Sequence, residues 1–327
     1  MITRRQAIEL GALAALAWGP SARAAAQPAV AWPSRFVRLI VPFPPGGGTD
    51  AIARVVAGKL SDIWGQQVVV ENRGGGATNI GTEAVVRSDP DGYTILITSM
   101  PLAVNRFLFP TLTYDPVEDI APISLICEYP NIMAVPITSP ARSVTQFIAY
   151  ARANPGKVNM ASAGNGSAPH MAGELFKMMT GVNMVHVPYR GQGPAMTDLL
   201  GGQVQILFAA APGTADYIKT GKLRALAVTS ATRMQEQPEI PSVGDFVPGY
   251  EASQWYGFAA PKNTPAEIVD RLNKEINAGI ADPGMKARLA AIGGETMPGS
   301  PSDFGTLIAE ETEKWGKVVR AGGLKPE

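Results

Sequence analysis

Arg38-Leu-Ile-Val-Pro-Phe-Pro-Pro-Gly-Gly-Gly-Thr-Asp50 begins as an apolar β run and ends in a glycine turn that opens a helical pattern, Ala51 to Trp64. Three glycines let the main chain come close to a guest, and Thr49 or Asp50 can cap the helix that follows. The unbonded N–H groups at such a helix start favour an anion. One turn of this kind decides little, because α/β chains need them wherever a strand hands over to a helix. The pattern recurs three times. Arg73 to Asn79 follows the run Gln67 to Glu71 and opens the helix Ile80 to Arg87. Ala161 to Ser167 follows Lys157 to Met160 and opens Ala168 to Met179, and Tyr189 to Pro194 follows Met184 to Pro188 and opens Ala195 to Leu200. Four such turns would all sit at the carboxyl ends of parallel strands, where open α/β sheets bind ligands.

Composition narrows the function classes. The chain has 327 residues, enough for two cores, and its 46% apolar content is that of a globular protein. Lys plus Arg equals Asp plus Glu at 28 each, so no broad basic footprint for nucleic acid is present. Cys127 is the sole cysteine and His170 and His186 the sole histidines, which leaves no metal cluster and no internal disulfide to expect. No cofactor motif stands out. Arg4 and Arg5, then the apolar run Ala7 to Trp18, then small residues around Ala24 to Ala26, read as an export signal over residues 1–26. The apolar run is too short to span a bilayer. The paired arginines suit the twin-arginine route. Without the signal, 25 basic and 27 acidic residues remain, and the periplasm is the expected compartment.

β runs and helical periodicities alternate along most of the chain, which predicts βα units and mainly parallel sheets. The β runs are Phe36 to Val41, Val68 to Val70, Thr94 to Thr98, Met133 to Val135, Val204 to Phe208 and Ala225 to Thr229. Further helices are expected over Val144 to Ala153, Thr214 to Thr220, Pro265 to Ala281, Met285 to Ile292 and Pro301 to Ala321. Two apolar stretches, Ile123 to Pro136 and Ser253 to Pro261, read as crossings between lobes. The chain would then build lobe I from 27–126 plus 250–327 and lobe II from 127–249, with a ligand cleft between them that can close about a hinge.

Ser167 and His170 stand three apart at a helix start, so a nucleophile and base could share one face. The serine lacks the Gly-x-Ser-x-Gly elbow and no acid completes a triad, so a helix cap and a hydrogen-bonded wall residue are the plainer reading. Asp50 and Asp198 suit the positive ends of their helices, Arg190 a solvated loop, and Trp255 with Tyr256 hinge packing.

Taken together, these segments resemble the Bug family. They are the stretch from Arg38 to Asp50, Glu71-Asn72-Arg73-Gly74-Gly75-Gly76-Ala77-Thr78-Asn79-Ile80-Gly81, Gly164-Asn165-Gly166-Ser167-Ala168-Pro169-His170-Met171-Ala172-Gly173-Glu174-Leu175-Phe176, Val187 to Gly191, Gly221 to Thr229, Trp255-Tyr256-Gly257 and Ala260-Pro261. Bug proteins are the extracytoplasmic receptors of tripartite tricarboxylate transporters. The resemblance implies a two-lobed, type II-like periplasmic-binding-protein fold with two crossover strands. It implies capture of a small carboxylate, a di- or tricarboxylate or an aromatic one, by a monomer that delivers it to membrane subunits. The ligand would meet Phe43, Gly46, Gly47, Thr49 and Asp50 at the first turn, and Gly76, Thr78 and Asn79 at the second. Ser99, then Ser162, Gly164, Ser167 and His170, then Tyr189 and Gly191 would complete the lining. Many relatives carry an Asp where this chain has Ala209; if that Asp answers a ligand ammonium, Ala209 argues against an amino acid. A secreted enzyme using Ser167 and His170, and a sensory binding protein, are the competing readings.

Overall fold

Two sheets carry the fold. The structure, a computed structural model, describes residues 32–324 apart from 47, 212, 235–236 and 292–293, so the export signal and Gly47 lie outside the described residues. The first sheet contains β1 (Val37–Val41), β2 (Val68–Asn72), β3 (Thr94–Ser99), β4 (Ile120–Tyr129), β10 (Gln254–Pro261) and β11 (Glu295–Thr296), in the order β11-β4-β10-β3-β1-β2. The second contains β5 (Asn131–Pro136), β6 (Val158–Ser162), β7 (Met184–Pro188), β8 (Ile206–Ala210) and β9 (Leu223–Val228), in the order β7-β6-β8-β5-β9. The central strands β3 and β5 are buried at every residue, as expected of strands covered on both faces.

The sheets are less parallel than the alternation of β and α patterns predicts. β1 runs parallel to β2 and β3, and β6 to β7 and β8, but every pairing of β10, β11 and β5 is antiparallel. The reason is the crossing itself. A chain that leaves one sheet and enters another arrives at the end where the resident strands stop, and so runs against them. Pro130 alone separates β4 from β5, and β10 brings the chain back beside β4.

The helices are α1 (Gly48–Trp64), α2 (Asn79–Val86), α3 (Pro101–Leu108), α4 (Val144–Ala153), α5 (Ala168–Thr180), α6 (Gln192–Leu200), α7 (Ala215–Lys219), α8 (Ala266–Ala281), α9 (Pro283–Ala291) and α10 (Pro301–Gly322). The sequence reading leaves out α3, a short apolar helix with Pro in its first turn that follows β3 directly. α10 starts on a capping box, in which the Ser300 hydroxyl accepts from Asp303 N–H while the Asp303 carboxylate accepts from Ser300 N–H. Its apolar side packs on α3, β4 and α5, so it touches elements belonging to both sheets. One hydrophobic cluster accordingly runs from Trp255, Phe304 and Trp315 through Leu108 and Met171 to Phe147 and Phe176.

Candidate ligand cleft

β3 and β4 both run against β10, so the carboxyl ends of β1, β2 and β3 lie at the edge from which the chain departs. β5 enters the second sheet against β8, so the ends of β6, β7 and β8 lie where it arrives. The topology thus gathers the four glycine turns around one crossing.

At the first turn the exposed Gly46 donates its N–H to Asp50 Oδ2 at 2.9 Å, and Arg54 Nε donates to the same oxygen at 3.0 Å. Asn72 Nδ2 donates to Asp50 Oδ1 at 3.0 Å and to the Phe43 carbonyl at 3.1 Å. Burial pushes the Asp50 carboxyl up, but the hydrogen bonds from Arg54, Gly46 and Asn72 outweigh it and hold the pKa below 3.8. Asp50, only 4% exposed, therefore braces the turn, with its carboxylate turned inward. Thr49 is also buried, its hydroxyl donating to Tyr256 at 3.2 Å.

The second turn carries the most unusual backbone. Gly75, Gly76, Ala77 and Thr78 have φ of 125°, 53°, 50° and 81° in succession. For Ala77 and Thr78 the left-handed region costs about 1–2 kcal/mol each, and such strain concentrates at binding sites. Asn105 on α3 holds it, donating from Nδ2 to the Ala77 carbonyl at 2.6 Å and to Asn79 Oδ1 at 2.8 Å. The Tyr114 hydroxyl donates to the same Asn79 oxygen at 2.8 Å. Ser99 closes β3, buried, with a hydroxyl that has no hydrogen-bond partner among the described residues.

In the third turn the Gly166 N–H donates to His170 Nδ1 at 3.1 Å. That bond fixes the His170 proton on Nε2. The His170 and His186 rings stack with centroids 3.8 Å apart, and His186 Nε2 lies 2.6 Å from the Ser162 hydroxyl. Burial first, then the neighbouring His186 and Lys177, pushes His170 down to about 3; burial and Lys177 push His186 down to about 4. Ser167 is the residue before α5 but its hydroxyl makes no cap bond, donating instead to the Gly164 carbonyl at 2.6 Å. The paired Ser167 and His170 of the enzyme reading are thus each engaged elsewhere, and a neutral imidazole buried to 2% exposure is a poor base. Both shape the turn instead.

At the fourth turn the Tyr189 hydroxyl donates to Asp198 Oδ2 at 2.6 Å. Gly191, at φ 105°, donates its N–H to the Ala163 carbonyl at 3.3 Å, so the fourth turn leans on the third. The helix begins at Gln192, earlier than the spacing suggests, and Gln192 Oε1 accepts from Ala210 N–H at 2.9 Å. Ala209 lies inside the second sheet. It is fully buried and packs in the second sheet's core with Ile132 and Leu207, so its methyl does not stand on an open ligand surface. Alternation along β8 puts Leu207 and Ala209 in one hydrophobic cluster and Ile206 and Phe208 in the other, so both faces of the strand are packed.

Sequence reasoning gives no role to Asn72 and Asn105, which brace the first and second turns, and reads Tyr256 as hinge packing although its hydroxyl accepts from Thr49. A buried Asn inside the apolar α3 is the one local signal among them. A cavity of about 480 Å³ borders the crossing, lined by Glu128, Tyr129, Pro130, Arg233, Glu251 and Lys286 but by none of the glycine-turn residues. Among the described residues no group of three His, Cys, Asp or Glu is placed to hold a metal ion.

Residues 52–324 match the model of the tripartite tricarboxylate transporter family receptor. BugT of Bordetella pertussis is 39% identical over 90% of this chain and 91% of its own length. A Rhodopseudomonas palustris structure solved with adipate superposes with a TM-score of 0.83 at 37% identity, over 90% of this chain and 100% of the other. MatC from Rhodopseudomonas palustris, solved with bound malate, gives a TM-score of 0.79 at 28% identity, over 88% of this chain and 100% of the other. The two sheets with their flanking helices are therefore the two lobes of a periplasmic-binding-protein fold, and the chain belongs to the Bug-type receptors of the tripartite tricarboxylate transporter family, which bind solutes and are not enzymes.

Proposed function

We propose that the chain is a periplasmic receptor that captures a small carboxylate between lobe I (27–126 plus 250–327) and lobe II (127–249) and delivers it, as a monomer, to the membrane subunits of a tripartite transporter. The observation that carries this reading is the run of left-handed residues from Gly75 to Thr78, clamped by Asn105 beside three further glycine turns. A run of left-handed residues brings successive main-chain N–H groups close together, an arrangement that suits an anion. The adipate and malate held by two structural neighbours support a dicarboxylate of four to six carbons as the first class to test. The main chain at the turns, with Thr78, Asn79, Ser162, Ser167 and Tyr189 beside it, forms the binding surface. Residues 1–26 direct export by the twin-arginine route, so replacing Arg4 and Arg5 with lysine blocks it.

A thermal-shift screen over mono-, di- and tricarboxylates tests the reading. A ligand at 100 times its Kd adds about 2.7 kcal/mol of stability. For a chain of this size that is a shift of several degrees. No shift with any carboxylate, alongside clear shifts with sugars or cations, overturns it.

A further inference from the structure

Three hydroxyls and one carboxamide meet where both crossings pass the first glycine turn. Gln254 Nε2 donates to the Tyr256 hydroxyl at 2.7 Å, the Thr49 hydroxyl donates to it at 3.2 Å, and the Tyr256 and Tyr129 oxygens lie 2.8 Å apart. A phenol oxygen has one proton to give and two lone pairs to fill. Gln254 and Thr49 fill both lone pairs of Tyr256, so its own proton goes to Tyr129. Among the described residues the proton of Tyr129 then meets no acceptor. That phenol, 5% exposed, has its oxygen 3.9 Å from where a Cβ on Gly48 would stand, and Gly48 is exposed in the first turn.

A second observation marks the same spot. Ser99 pairs with Tyr256, and Tyr129 with Gln254, across antiparallel strands. Directly opposed residues share a face, as do residues two apart, so Ser99, Tyr256, Gln254 and Tyr129 form one row. The Ser99 hydroxyl on that row, 2% exposed, also has no partner among the described residues. Unpaired buried hydroxyls are rare and need an explanation.

We propose that Tyr129 is a ligand-binding residue, donating its hydrogen bond to the ligand carboxylate as the last member of a relay that starts at Gln254 and Thr49 and passes through Tyr256. The relay rests on the carboxylate reading above and adds the group that meets the acid at the first turn. A phenol donating to a carboxylate in a water-poor cleft forms a charge-assisted bond, stronger than one between neutral groups.

Calorimetric titration of wild type, Tyr129→Phe and Thr49→Val with adipate and with malate tests it. Tyr129→Phe is expected to weaken binding by about tenfold to a hundredfold, while its melting temperature without ligand stays within a few degrees of wild type. In wild type, ligand shifts the tyrosine absorption band to the red as the phenol gains an anionic acceptor, and Tyr129→Phe lacks that shift. Wild-type affinity in Tyr129→Phe, or a wild-type spectrum that ligand leaves unchanged, overturns the relay and leaves the receptor reading standing. A loss confined to Thr49→Val also overturns it, since the chain of protons then runs the other way. A wild-type protein that binds neither these acids nor any other carboxylate overturns both readings at once.

Discussion

Asp50 shapes the first glycine turn through hydrogen bonds made by its own side chain. Its carboxylate takes the Gly46 N–H and Asn72 Nδ2, and so sets the shape of the turn from inside. Asp50→Ala is expected to cost about 1–3 kcal/mol, the range for hydrogen bonds to a charged group, and to weaken ligand binding as the turn loosens. Urea unfolding and titration calorimetry on the same variant read both effects. Because its folded pKa is lowered, the stability Asp50 contributes is fully present above 3.8 and is lost as pH falls through the folded value. His170 and His186 act at higher pH with the same sign. Their folded pKa values, about 3 and about 4, lie below the ordinary 6.5, so between pH 6.5 and 4 the unfolded chain takes up protons that the folded chain refuses. Stability then falls as pH drops across that window, by on the order of 1 kcal/mol per pH unit for each histidine held neutral. Denaturant titrations from pH 7.5 to 4.5 should show this slope, and His186→Gln should flatten it; a wild-type stability flat down to pH 5 would show that the stacked pair is not held neutral.

At the scale of elements, the strand-turn-helix units are legible in the sequence because small residues at a strand end leave a local mark. Val144–Ala153 is read at its observed bounds, and the helix starts after the first three turns fall within three residues of theirs. The clamp on the second turn leaves no such mark. Asn105 reaches Ala77 and Asn79 across 28 and 26 residues, and Tyr256 reaches Thr49 across 207, so only tertiary structure brings them together. The surroundings of Ala209 leave no local mark for a related reason: periodicity says that β8 has two faces but not what covers each, and both are packed. The clamp makes a prediction about α3 as a unit. Asn105→Ala removes the donor to the Ala77 carbonyl, and the left-handed turn can relax toward ordinary φ values. The expected result is about 1–3 kcal/mol of lost stability with a disproportionate loss of affinity. Hydrogen exchange should speed up over 75–80 and stay unchanged in β6; uniform acceleration would mean that Asn105 supports the core rather than the turn.

At the scale of the whole molecule, the crossings are tied at one point and the lobes meet at others. Asn131 N–H donates to Thr229 Oγ1 at 2.8 Å, Thr229 N–H to the Asn131 carbonyl at 2.8 Å, and Ala252 N–H to the Thr229 carbonyl at 2.9 Å. Those bonds hold β5, the end of β9 and the segment entering β10 together beside the crossings. Away from it, Gly166 of the third turn lies against α3 of the other lobe, where an added Cβ would stand 3.2 Å from Leu108 Cδ1 and 3.5 Å from Asn105 Oδ1. The described form therefore has the second and third turns drawn together, as a ligand between them would require. If closure is driven by ligand, wild-type protein in solution should have a smaller radius of gyration with saturating dicarboxylate than without it. Gly166→Val supplies the control. A branched side chain there meets Leu108 across the cleft, and φ of 70° adds local strain of about 1–2 kcal/mol. The variant is expected to keep most of its melting temperature, to hold the open radius at every ligand concentration and to bind at least tenfold more weakly, because each molecule bound must push the lobes together against that contact. Small-angle scattering beside calorimetry separates the outcomes. Equal radii for wild type with and without ligand would make this a rigid receptor whose turns are already in place, and the affinity lost in Gly166→Val would then come from the turn alone.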